Sequence, residues 1–284
     1  MRTPPTTMPA LITPFGPDGS VDTNAHRHNV AFLAERGTKG FLIGGSTGQG
    51  PYLEPGEHGT LIATARDELG DEAFLLGGVF AQSVHQAARQ IAEVNAAGGD
   101  AVLVVTPTLL LRGDRELVVS FFRTVADESP LPVFLYTVPA VTGYELPIDA
   151  AITLAAHPNI VGMKDSGGDV DRVPPIVTGA GTDFLLYVGA SRAIFASTGR
   201  GAYGAITAST NYAQELVTAA RVDNDVQERL TAMTRNVEQH GIAGTYAAAD
   251  LVGLSPGTMR EPLRPLNDDE RSVLRSHCCP NSGD

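Results

Sequence analysis

Eight short apolar runs recur along the chain, bounded by Gly or Pro, and they constrain its fold more than any other feature. They are MPALIT (8–13), GFLIGG (40–45), FLLGG (74–78), AVLVVT (101–106), PVFLY (132–136), IVGMK (160–164), FLLYVG (184–189) and GAYGAIT (201–207). Each is nearly continuous in apolar character, which is how strands buried on both faces of a parallel sheet read. Segments with helical spacing lie between them: 24–36, 55–69, 84–97, 114–128 and 147–156. Helix-entry residues stand at Asp22/Thr23, Glu54-Pro55, Ser83, Asp114 and Leu146-Pro147, and Gly37, Gly70 and Gly98 stand where helices should stop.

Eight βα repeats in about 220 residues fit a (β/α)8 TIM barrel better than a doubly wound sheet. The first strand runs into TPFGPDGS, without the glycine fingerprint that would open a dinucleotide fold. Beyond about residue 224 the strand signals stop. Segments 225–240, 243–251 and 268–277 read as helices, the last with Asn267 or Asp268 as N-cap. The expected organisation is a catalytic barrel over 1–224 and a C-terminal helical appendage, 225–284, packed on it.

Composition narrows the partners. Hydrophobic residues make up 43% of the chain and charged residues 18%, enough for a core and too few charges for disorder. A formal charge of −12 repels polyanions, so neither nucleic acid nor an anionic membrane is an expected partner. No run is long enough to span a bilayer and no signal peptide is apparent, which makes the cytoplasm the default location. Cys278 and Cys279 are adjacent at the tail, and the His residues show no paired metal spacing. Neither metal nor thiol chemistry is expected.

In such barrels the chemistry lies at the C-terminal ends of the strands. There the chain places Thr13, the loop GGSTGQG (44–50), Thr106, Tyr136, Lys164, Gly189 and Thr207. Of 20 basic residues only Lys39 and Lys164 are lysines. Lys164 ends a strand expected to be buried, where desolvation favours the neutral amine that attacks carbonyls. The alternative is a structural ion pair with Asp165 or Asp169. Tyr136 ends the preceding strand, roughly 4.8 Å away in a parallel pair, and can pass a proton there or simply pack. The Gly-Ser-Thr-Gly loop can cradle a carboxylate or phosphate with its backbone N–H groups, although it lacks the nucleotide-loop pattern.

Taken together, GSTGQ (45–49), VTP (105–107), LYTVPAVTG (135–143), HPNIVGMKDSGGD (157–169) and FLLYVGAS (184–191) resemble the dihydrodipicolinate synthase / N-acetylneuraminate lyase family of class I aldolases. The segments around Tyr136 and Lys164 look most like its 4-hydroxy-2-oxoglutarate aldolase branch. This resemblance implies a lyase acting on pyruvate and an aldehyde, usually a homotetramer built as a dimer of dimers. It implies no cofactor beyond a covalent lysine imine with substrate. It makes Lys164 the imine-forming lysine, Tyr136 the proton-relay tyrosine, and Ser46 and Thr47 the carboxylate holders, with Thr47 continuing the relay. Gly48, Ser166, Gly189 and Ile206 complete the expected substrate-binding set.

The chain departs from that pattern in three places. Gln49 stands where many members carry Glu, Leu109 and Leu110 stand near the usual tyrosine pair, and Val141 replaces the mouth arginine of dihydrodipicolinate synthases. The last departure counts against synthase activity. It leaves that activity, or another dehydratase or lyase of the family, as the alternative, and a non-catalytic pyruvate-binding barrel as the reading from a different class. Leu109, Leu110 and Leu111, with Val79 and Phe80, are expected to make the acceptor half of the pocket partly apolar; the alternative is that the leucines pack an inter-subunit contact.

Overall fold

Each of the eight runs forms one strand: β1 (Thr7–Pro9), β2 (Gly40–Ile43), β3 (Phe74–Val79), β4 (Ala101–Val105), β5 (Val133–Thr137), β6 (Ile160–Asp165), β7 (Leu185–Val188) and β8 (Gly204–Thr207). The computed structural model describes residues 2–111 and 113–278, with side chains through Arg275; Cys279 lies outside it. All pairings are parallel, in the order β1-β8-β7-β6-β5-β4-β3-β2, and a parallel bridge from Ala10 to Leu42 brings β1 back to β2. The chain is a (β/α)8 barrel with C-terminal helices.

Strand alternation sorts the side chains into two layers. Met8, Leu42, Phe74, Leu76, Leu103, Phe134 and Ile206 fill the barrel interior. Val102, Val104, Leu135, Met163 and Leu186 face outward and pack under the helices. At the N-terminal end Tyr187 and Tyr203 donate to the carbonyls of Pro5 and Pro4, at 2.8 and 2.7 Å, and close the floor. Burial raises the Tyr187 pKa, so that phenol stays protonated as the donor.

Side-chain caps start several helices. Asp22 accepts from the N–H groups of Asn24 and Ala25, Ser83 from Gln86, and Asp114 from Leu117. Asn267, rather than Asp268, caps the last helix: its Oδ1 accepts from Glu270 N–H while Glu270 accepts from Asn267 N–H. Gly37, Gly70 and Gly98 all take positive φ at helix ends.

Three expected boundaries move, and each has a physical cause. The first run forms a strand only to Pro9, because Leu11 and Ile12 turn outward to pack with Val30, Leu33 and Leu61, while Ile12 N–H donates to Asn211 Oδ1 at 3.1 Å. The second helix starts at Glu57, not Pro55, after Gly56 at the N-cap. The expected eighth strand loses residues 201–203, where Tyr203 is drawn to the floor.

The C-terminal helices, Asn224–Glu238 and Gly241–Leu251, are tied to the loops at the C-terminal ends of the strands. Gln227 accepts from Phe195 N–H at 2.9 Å and donates to Ser191 O at 3.0 Å, and Tyr246 joins the outer core beside Leu11 and Ile12.

Candidate active site

Register places Tyr136 opposite Lys164, and Lys164 opposite Tyr187, on β5, β6 and β7. Met163 faces the helices, so Lys164 faces the barrel interior and Asp165 faces out again. Lys164 is 4% exposed, and its Nζ lies 4.6 Å from the centre of the Tyr136 ring. No carboxylate pairs with it among the described residues.

The expected ion-pair partners of Lys164 are engaged elsewhere. Asp165 accepts from Arg172 Nε at 2.9 Å and from Gly167 N–H at 2.9 Å, while Asp169 caps Asp171 N–H. Arg172 is itself buried. It donates to Leu146 O at 2.7 Å and pairs with Glu145 at 3.2 Å, so the connections after β5 and β6 meet behind the lysine strand.

The loop after β2 comes to Tyr136 from across the mouth. Ser46 Oγ lies 2.9 Å from the Tyr136 hydroxyl, a hydrogen bond in which either oxygen can donate. Thr47 is half-buried beside it. Gly48 allows the close approach of this loop to the segment that follows β1, because a Cβ there would lie 2.6 Å from Leu11 O and 2.9 Å from Thr13 Oγ1. The backbone of Tyr136 is held in turn, its carbonyl accepting from Thr106 N–H and Thr106 Oγ1, both at 2.9 Å.

Gly189 is required by packing. A Cβ on it would fall 1.9 Å from Ser166 Oγ and 3.0 Å from Lys164 Cε. Its N–H donates to Asp165 O at 2.7 Å, which extends the β6–β7 pairing by one step and sets Ser166 beside it above the lysine. Ile206 lies inside the barrel with Tyr136. Lys164, Tyr136, Ser46, Thr47, Gly48, Ser166, Gly189 and Ile206 thus gather at one end of one barrel.

The apolar acceptor wall does not assemble as expected. Val79 faces the helices, buried in the outer layer with Ile91 and Val102, and Leu111 packs against that same layer. Leu109 and Leu110 are 77% and 88% exposed, so within one chain they enclose nothing. Only Phe80 packs toward the interior.

Sequence reasoning passed over two groups that hold the site. One is Arg172 with Glu145, for which a scattered Arg and Glu leave no readable pattern. The other centres on Gln49, whose place in the loop was visible while its partners were not. It is 2% exposed, and its amide bonds Tyr246 and Arg260, remote in sequence.

Residues 4–278 match the model of the dihydrodipicolinate synthetase family. The chain belongs to that family. Relatives within this family include a 4-hydroxy-tetrahydrodipicolinate synthase of Thiobacillus denitrificans, 32% identical over 94% of this chain and 93% of that protein. A dihydrodipicolinate synthase of Acinetobacter baumannii, crystallised with pyruvate, is 28% identical with a TM-score of 0.87, covering 97% of this chain and 98% of that one. The DapA-2 dihydrodipicolinate synthase of Bacillus anthracis is 27% identical with a TM-score of 0.88 and 98% coverage of both chains. Membership in the dihydrodipicolinate synthetase family makes the chain a pyruvate-dependent lyase acting on a carbon–carbon bond.

Proposed function

We propose that the chain is a class I aldolase that cleaves or forms the bond between pyruvate and an aldehyde, in the manner of a 4-hydroxy-2-oxoglutarate aldolase. The observation that carries this reading is the register pair Tyr136–Lys164, with Ser46 bonded to the tyrosine hydroxyl at 2.9 Å. A buried lysine without a carboxylate partner, facing a phenol and a hydroxyl loop, is the arrangement that imine chemistry needs.

Lys164, as the neutral amine, adds to the C2 carbonyl of the 2-oxo acid. The carbinolamine loses water with a proton from Tyr136, and the resulting iminium nitrogen is the electron sink. In cleavage, Tyr136 takes the proton of the C4 hydroxyl as the C3–C4 bond breaks. The aldehyde departs and the electron pair remains as an enamine, which is protonated at C3 and hydrolysed to pyruvate. Synthesis runs these steps in reverse. Ser46, Thr47 and the N–H groups of their loop hold the C1 carboxylate and keep the imine in the plane that each proton transfer requires. Ser166, set above the lysine by Gly189, faces the acceptor side.

A second reading, synthesis of 4-hydroxy-tetrahydrodipicolinate, is favoured by the name of the Thiobacillus relative. Val141 is 62% exposed at the position of the arginine that would hold a second carboxylate, and it supplies no charge. Pyruvate with borohydride, followed by intact-mass measurement, tests the lysine. The reduced adduct is expected in the wild-type chain and absent from Lys164→Ala. An adduct that persists in that variant, or none in either protein, rejects the mechanism and, if pyruvate still binds, favours a non-catalytic barrel. A panel of aldehydes offered with pyruvate then separates the two readings. A carboxylate-bearing amino aldehyde as the best acceptor favours the synthase.

A further inference from the structure

Gln49 is buried in the loop that carries Ser46 and Thr47, and the mechanism above gives it no task. It has φ +55°, the only positive φ outside glycine among the described residues. A left-handed conformation at a residue with a Cβ persists where its surroundings over-determine it.

Its side chain supplies that determination. Arg260 N–H donates to Gln49 Oε1 at 3.0 Å, which leaves Nε2 to donate to the Tyr246 hydroxyl at 2.8 Å. The hydroxyl also accepts from Thr13 N–H at 3.0 Å and donates to Thr13 O at 2.9 Å, so its one hydrogen and both lone pairs are in use. Arg260 is fixed independently. It forms a two-pronged pair with Glu57 at 2.7 Å, bonds the carbonyls of Gly19 and Tyr52, and lies 4.4 Å over the Phe15 ring. The Gln49 backbone passes this rigidity to the loop, its N–H donating to Ser46 O at 3.1 Å.

We propose that Gln49 is a positioning residue for the carboxylate loop, and that residues 241–260 anchor it through Tyr246 and Arg260. The inference rests on the reading of Ser46 and Thr47 as carboxylate holders. An amide suits the place better than an acid, because a carboxylate at 49 cannot donate to a hydroxyl whose hydrogen already serves Thr13.

The test is the pyruvate concentration that half-saturates borohydride trapping in the full-length chain. In Gln49→Ala and in Tyr246→Phe it is expected to rise about 10-fold, with the yield at saturating pyruvate held within about 2-fold, the pattern of lost binding geometry and not of lost chemistry. Tyr246→Phe keeps the buried ring and decides the matter if Gln49→Ala fails to fold. Gln49→Glu should show a similar defect near about pH 8 that shrinks, relative to wild type, toward about pH 6, where a buried carboxyl regains a proton to donate. Wild-type half-saturation in both Gln49→Ala and Tyr246→Phe would overturn the inference and leave the lysine reading intact. A wild-type chain that traps nothing would overturn the lysine reading, and this inference with it, before any variant is made.

Discussion

The two sides of the barrel mouth are built differently. On the inner side, at the ends of β5 and β6 and in the loop after β2, the side chains are bound to a neighbour or wedged by glycine: Ser46 to Tyr136, Gln49 to Tyr246, Ser166 against Gly189. On the outer side, at the rim, the loops after β4 and β5 present Leu109, Leu110 and Val141 to solvent. The difference follows from what each side has to do. A proton transfer and a carboxylate contact tolerate displacements of a fraction of an ångström, so their residues need hydrogen-bonded walls. Recognition of the aldehyde's remaining body is free to vary with the residues of the rim.

If the first side is as rigid as its bonding implies, breaking its hidden ion cluster gives the largest effect. Arg172→Met leaves the Asp165 carboxylate, 9% exposed, without its cation directly behind Lys164. Urea unfolding should show a loss of about 3–5 kcal/mol, the cost of stranding one partner of a buried pair. A loss below about 1 kcal/mol would mean that the wall is solvated and that the contrast between the two sides is overstated.

Removing the relay oxygen comes next. Tyr136→Phe keeps the ring in the barrel core and deletes the hydroxyl that Ser46 bonds. Pyruvate should still be trapped by borohydride, while aldol turnover falls at least about 100-fold, the scale of losing a positioned acid–base group. That is about 2.7 kcal/mol in the barrier. A turnover near that of wild type would move proton transfer to another group and leave Tyr136 as packing.

These expectations show where the sequence was readable. The eight strands were, because a strand buried on both faces must be apolar throughout, and the site-bearing ends of Tyr136 and Lys164 followed from strand order. Their exact limits were not. Whether Leu11 and Ile12 continue a strand or turn under the helices depends on Asn211, which only the folded chain brings near. The gathered residues were legible through resemblance. The groups that hold them were not, since the Gln49–Tyr246 contact joins residues 197 positions apart. Val79 was misread because a strand's last apolar residue faces inward or outward according to a parity that its neighbours in sequence do not reveal.

The smallest effect belongs to the rim, and it sharpens the comparison from the other side. Replacing Leu109 and Leu110 together by Ser removes apolar surface that is already 77% and 88% exposed in the single chain. Exposed positions away from caps and ion pairs change stability by no more than about 0.5 kcal/mol, so the unfolding free energy and the pyruvate concentration for half-saturated trapping should both stay near wild type. A larger loss of stability that grows on dilution would have one physical source: the leucines would be covered in solution by another copy of the chain, making the open side a contact surface. A changed order of preference among aldehydes, with stability unmoved, would instead place them against the acceptor during turnover. If both readouts are unchanged, the two leucines carry neither role, and selectivity for the aldehyde has to come from side chains nearer the lysine, beginning with Ser166.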